Sequence, residues 1–164
     1  MRRAVFFDRD GTLNVESGFE FRNLAWMPGA IEAVRKVNDA GWLAIVITNQ
    51  SGIGRGLYGE ADMHAFHARM QAELAAAGAR IDGFYFCPFH PEAAVERYRA
   101  ADHPDRKPNP GMILRALSEF GIDPAGSLLI GDQDRDIVAA ERAGVRGVLY
   151  RGGDLSEIIA RELA

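Results

Sequence analysis

Five short apolar runs, at residues 4–7, 43–48, 84–87, 128–131 and 145–150, recur along this chain with amphipathic stretches between them. Each run is nearly continuous rather than alternating, which is how a strand covered on both faces reads. Covering both faces takes helices on both sides, and the intervening segments supply them. Pro28 and Gly29 open a segment with Ile31, Val34 and Val37 on one face and Gly41 at its end. Met63, Phe66, Met70 and Leu74 stripe the next, which runs out near Gly78. Asn109 and Pro110 read as N-cap and first-turn residues of a helix carrying Ile113, Leu114 and Leu117, closed by Gly121. Ile137, Val138 and Ala140 mark a shorter helix before Gly144, and Asp154 with Glu157 reads as a capping-box variant ahead of Leu155, Ile158, Ile159 and Leu163. The alternation predicts an α/β fold, three layers deep, with a mostly parallel central sheet and residues 1–164 forming one domain.

Composition narrows the function classes. A net charge of -4 argues against a nucleic-acid binder working through a basic face. No apolar stretch approaches the roughly 18 residues a membrane helix needs. Met1-Arg2-Arg3 leads straight into an apolar run of strand length, not into the longer apolar region of a signal peptide. A single cysteine, Cys87, leaves no internal disulfide to form and suits a reducing cytoplasm. Lysine occurs only at Lys36 and Lys107, against seventeen arginines, so each retained lysine invites a question.

In parallel sheets, ligands bind beyond the carboxyl ends of the strands. The first run ends in Asp8-Arg9-Asp10-Gly11-Thr12, two carboxylates two residues apart followed by a glycine that permits a sharp turn. Holding two like charges so close inside a protein is costly unless a cation or a reaction requires them. The second run ends in Thr48-Asn49-Gln50-Ser51-Gly52 and the fourth in Gly131-Asp132-Gln133-Asp134-Arg135-Asp136. The long segment after the third contains Arg106-Lys107-Pro108. Four strand ends thus deliver carboxylates, a hydroxyl and a lysine to one rim. Taken singly, a Thr-Asn or Gly-Asp after a strand is ordinary turn chemistry; the ordered set is far more specific. A receiver domain combines similar residues, but its phosphorylated aspartate follows the third strand, where this chain has Cys87-Pro88.

The ordered set resembles the haloacid dehalogenase (HAD) superfamily of phosphohydrolases, over residues 4 to about 136. The resemblance implies a Rossmann-like α/β/α fold and phosphoryl transfer through an aspartyl-phosphate. Carried onto these positions, it makes Asp8 the nucleophile and Asp10 the general acid and base. It gives phosphate oxygens to Thr48 and the backbone N–H of Asn49, and the fixed positive charge to Lys107. Mg²⁺ falls to Asp8, the backbone carbonyl of Asp10, and Asp132, with Asp136 orienting Lys107 or backing the metal shell. The segments 13–28 and 88–106 are too short for an inserted cap, so the resemblance predicts a capless enzyme with an open site.

The runs Thr48 to Gly56, Cys87-Pro88-Phe89-His90-Pro91 and Arg106 to Met112 sharpen the resemblance to the branch that holds D,D-heptose 1,7-bisphosphate phosphatases and the histidinol-phosphate phosphatase domain. From that branch, substrate contact is expected of Asn49, Gln50, Ser51 and Arg106, and at the substrate-loop position of Glu16, Ser17, Gly18 and Phe19. Arginine suits a second phosphate because its planar fork binds oxygens bidentately. Many members carry structural zinc on Cys-x-His followed by Cys-x-Cys. Here the candidates are Cys87, His90, His103 and Asp105, with Phe89 at the first histidine position and two thiolates missing. Gln133 stands where the heptose enzymes usually have a lysine. A phosphorylated sugar, foremost a heptose bisphosphate, is the leading substrate, with histidinol phosphate the alternative. A decayed, non-enzymatic member would lack a catalytic element, and Asp8, Asp10, Thr48, Lys107 and Asp132 are all present. Gly52, Gly54 and Gly56 read as a flexible turn, and His64 and His67 as a partly exposed helix face. A monomer in the cytoplasm, with no membrane or nucleic-acid partner, completes the expectation.

Overall fold

The computed structural model describes residues 1–16 and 23–164. Five strands, β1 (Ala4–Phe7), β2 (Leu43–Asn49), β3 (Gly83–Cys87), β4 (Leu128–Gly131) and β5 (Arg146–Leu149), form one sheet in the order β3-β2-β1-β4-β5. Every neighbouring pair is parallel, and Phe7 at the end of β1 lies level with Val46 and Ile130. The helices are α1 (Ala30–Asp39), α2 (Ser51–Gly54), α3 (Glu60–Ala76), α4 (Gly111–Phe120), α5 (Asp134–Arg142) and α6 (Leu155–Leu163). Among the described residues no helix is long and apolar enough to cross a membrane.

The two faces of the sheet explain the unbroken apolar runs. Val5 and Phe7 join a core with Val34 of α1, Met70 of α3 and Ile159 of α6. Ala4 and Phe6 point the other way, onto Met112 and Ile113 of α4 and Ala139 of α5. All four residues of β1 are fully buried, because a strand alternates its sides and both sides here are covered. The chain leaves β1 for β2 on one side, and β4 arrives on the other. The crevice at this reversal is where a doubly wound sheet places its ligand.

Several local expectations are corrected. Asn109 does not cap α4, which begins after Pro110 without a side-chain cap. The Asn109 amide instead donates to Asp102 (2.7 Å) and to the His103 carbonyl (3.0 Å), tying the long loop to itself. Asp154 does cap α6, but it accepts from the Ser156 N–H at 2.9 Å and the Ser156 hydroxyl at 2.7 Å, without a box through Glu157. The glycines after β2 are not a loose turn. Gly52 and Gly54 lie in α2, and a Cβ on Gly54 would stand 2.5 Å from the Pro88 carbonyl oxygen, so that position has room only for hydrogen. His67 is not on an exposed face; it is buried, while His64 is exposed.

Candidate active site

The carboxyl ends of β1, β2 and β4 and the loop before α4 open into one cavity of about 250 Å³. Asp8, Asp10, Glu16, Thr48, Asn49, Gln50, Ser51, Arg106, Lys107 and Asp132 all line it. Ser17, Gly18 and Phe19 lie outside the described residues. Asp136 stands behind the wall.

Lys107 is the centre of the arrangement. Its side chain is 2% exposed, and its ammonium donates to Asp8 Oδ1 (2.8 Å), Asp136 Oδ1 (2.6 Å) and the Ile47 carbonyl (3.1 Å), using all three protons. Burial opposes its charge, yet Asp8 and Asp136 outweigh that and hold its pKa above the ordinary lysine value. The backbone of Lys107 is held as firmly: Asn49 Oδ1 accepts from its N–H (3.0 Å) and Asn49 Nδ2 donates to its carbonyl (3.1 Å). Asp136 does two jobs, since its Oδ2 also accepts from the Gln133 N–H at 3.1 Å and so caps α5.

Burial pushes the Asp8 carboxyl up to about 6, against the pull of Lys107 and with a further push from Asp132. Asp8, Asp132 and Asp136 each offer an oxygen within 4.8 Å of the others, and among the described residues no other group of three potential ligands is drawn so close. Asp132 Oδ1 is buried without a hydrogen-bond partner. An orphaned carboxylate oxygen beside a second carboxylate is the hard, anionic donor set that Mg²⁺ favours, so the residues fit such an ion. Gly11 makes the approach possible: its φ is +85° and a Cβ there would lie 2.3 Å from Asp132 Oδ2.

Asp10 reaches the cavity by a different route. Arg9 donates to both of its oxygens, Nε at 3.1 Å and Nη2 at 2.9 and 3.0 Å. Asn14 Nδ2 (3.0 Å) and Gln50 Nε2 (3.1 Å) add one bond each. Gln50 is itself buried, donating to the Thr48 hydroxyl (2.9 Å) and accepting from Tyr58 (2.5 Å). At the mouth stand Arg55, Tyr58, Gln133 and Arg135, none of them among the expected site residues. An arginine close behind the Gly-x-Gly of α2 was the available signal for Arg55. Burial, with Arg55 and Arg106 alongside, keeps His90 below its usual pKa, and Arg106 Nε is buried without a partner.

The candidate zinc ligands are not assembled. His90 Nδ1 accepts from the Glu92 N–H and His103 Nδ1 from the Asp105 N–H, both at 3.0 Å. His103 stacks on Phe89 at 3.8 Å between ring centres, and Asp105 pairs with Arg115 at 3.2 Å. Cys87 is buried, its thiol pushed up to about 11 by burial. Turn hydrogen bonds and ring stacking take the place a metal would have in this loop.

Comparison with known proteins accords with this geometry. Residues 105–161 match the HAD-hydrolase-like family model. The D-glycero-beta-D-manno-heptose-1,7-bisphosphate 7-phosphatase of Rhodopseudomonas palustris is 42% identical over 99% of this chain and 91% of its own. The alpha-anomer counterpart from Burkholderia mallei is 46% identical over 87% of this chain and 76% of its own. The crystal structure of D,D-heptose 1,7-bisphosphate phosphatase from B. bronchiseptica, complexed with magnesium and phosphate, superposes with a TM-score of 0.82 at 31% identity, covering 97% of this chain and 86% of that one.

Proposed function

This chain belongs to the haloacid dehalogenase superfamily of phosphohydrolases, and on that premise we propose that it removes the 7-phosphate from D-glycero-D-manno-heptose 1,7-bisphosphate. The observation that carries the chemistry is the buried Lys107 bridging Asp8 and Asp136 beside the unpartnered Asp132 oxygen.

Asp8 attacks phosphorus and forms an aspartyl-phosphate, dividing a difficult hydrolysis into two easier displacements. Lys107 fixes the Asp8 carboxylate and offsets negative charge where the phosphoryl group arrives. The Thr48 hydroxyl, steadied by Gln50, and the Asn49 N–H hold phosphoryl oxygens. Asp10 gives a proton to the sugar oxygen as the P–O bond breaks, then takes one from the water that opens the aspartyl-phosphate. Asp8, the Asp10 carbonyl and Asp132 would hold Mg²⁺, which supplies charge neutralisation for the transferring group. The second phosphate of the sugar is assigned to the outer guanidiniums, with Arg106 Nε free to donate inward and Arg55 and Arg135 beside it. The chain is read as acting as one domain and one protomer in the cytoplasm.

The test is phosphate release with Mg²⁺ from heptose 1,7-bisphosphate and from histidinol phosphate, with Asp8→Asn as the blank. A preference of about a hundredfold in kcat/KM for the heptose, some ~2.7 kcal/mol of transition-state discrimination, supports the reading. The same preference for histidinol phosphate overturns the substrate, and no release above the blank overturns the chemistry.

A further inference from the structure

Arg9 is 3% exposed although it carries a permanent charge. Its guanidinium spends Nε and Nη2 on Asp10, lies 4.7 Å above the Phe66 ring, and brings Nη1 to 3.1 Å from His67 Nε2. His67 lies fifty-eight residues further along the chain, on α3, 5% exposed and stacked on Phe84 at 4.3 Å. A guanidinium can only donate, so His67 Nε2 accepts and the ring proton sits on Nδ1. Burial first, and the Arg9 charge second, keep this imidazole neutral, its pKa lowered to about 3. Asp10 is 27% exposed against 3% for Arg9, and the fork that reaches both carboxylate oxygens restricts how the carboxylate can turn. Asp10, at the other end of the chain of contacts, is the only member that lines the cavity.

We propose that Arg9 and His67 are positioning residues, a fork and its anchor, that hold the Asp10 carboxyl against the leaving-group oxygen. Asp10 sits where β1 has ended; Asn14 of its own turn holds one carboxylate oxygen at 3.0 Å, and the Arg9 fork reaches both. Fixing it from α3 lets the helix layer set the direction of proton delivery. Neutral His67 is suited to the task, because a protonated ring could neither accept from Arg9 nor sit beside it without repulsion. The inference rests on the reading of Asp10 as the general acid.

The test separates the two. kcat/KM reports the steps through formation of the aspartyl-phosphate, in which a sugar alkoxide needs the proton and p-nitrophenolate scarcely does. Asp10→Asn is expected to lower kcat/KM on the sugar phosphate at least about a hundredfold more than on p-nitrophenyl phosphate. His67→Leu keeps the apolar contact with Phe84 and loses the acceptor; Arg9→Lys keeps the charge and loses the fork. Each is expected to show the same selectivity at about tenfold, His67→Gln to recover most of it, and neither to add any in the Asp10→Asn background. Thermal melts confirm that the variants are folded. Equal losses on both substrates, or no loss, in folded His67→Leu and Arg9→Lys overturn the positioning role while leaving Asp10 as the acid. No selectivity in Asp10→Asn overturns the reading on which the inference rests.

Discussion

Two titratable side chains at this site are buried in opposite senses, and the difference has consequences. On the mechanism proposed above, Asp8 is charged when it attacks, and a lysine lies against it; His67 accepts only when uncharged, and an arginine lies against it. Since His67 titrates near 6.5 when unfolded and about 3 when folded, the unfolded chain binds more protons between those values, and stability is lost as pH falls through that window. Between pH 7 and pH 5 this residue is expected to withdraw up to about 2 kcal/mol from the native state. Urea titrations at the two pH values check it: His67→Gln loses that much less than the parent. A parent and variant that soften equally would mean that His67 is protonated in the fold. Asp8, Asp10, Thr48 and Lys107 were legible because they stand in the order of a known family's motifs, two just after β1, one near the end of β2 and one in the loop before α4. Arg9 and His67 were not, because their meaning lies in a contact between the turn after β1 and α3.

At the level of elements, two helix caps that look alike carry different loads. Asp136 caps α5 and also receives Lys107, whereas Asp154 caps α6, is exposed, does not line the cavity and accepts from Ser156. Asp154→Ala is therefore expected to cost about 1 kcal/mol of stability, as lost caps do, with kcat unchanged. Asp136→Ala removes the cap and strips one carboxylate from a buried ammonium, a loss of about 3–5 kcal/mol by comparison with other broken buried pairs, and turnover falls with it. Calorimetry alongside phosphate release distinguishes them; a kcat loss in Asp154→Ala would place α6 in the mechanism. The strands and the longer helices were legible from apolar periodicity. The single turn α2 was not, because Gly52 and Gly54 are poor helix formers and only the neighbouring Tyr58 ring and Pro88 carbonyl explain their choice.

The whole molecule is acidic, at -4, yet Arg55, Arg106, Arg135 and Lys107 meet around one cavity. The same lining carries Asp8, Asp10, Glu16 and Asp132, so the formal charges balance; the guanidiniums attract an anionic substrate at short range, and salt screens that attraction. Raising ionic strength from ~0.02 to ~0.3 M is expected to lower kcat/KM for the bisphosphate several-fold, since the Debye length drops from roughly 20 Å to roughly 6 Å. Arg55→Gln with Arg135→Gln should flatten that dependence and leave kcat on a monophosphate little changed. An unaltered salt slope would assign the steering elsewhere.

The linear order of residues by itself determined the layered fold and which polar residues follow the strands, because strand periodicity and strand termini are local properties and a parallel sheet delivers its carboxyl ends to one edge. Tertiary structure alone decided that Lys107 would be buried between Asp8 and Asp136, that the Cys87 loop would close on stacked rings and turns, and that α3 would reach across to Arg9. These depend on charges and rings from distant segments being taken out of water together, where partners found in space, not neighbours along the chain, set the energy.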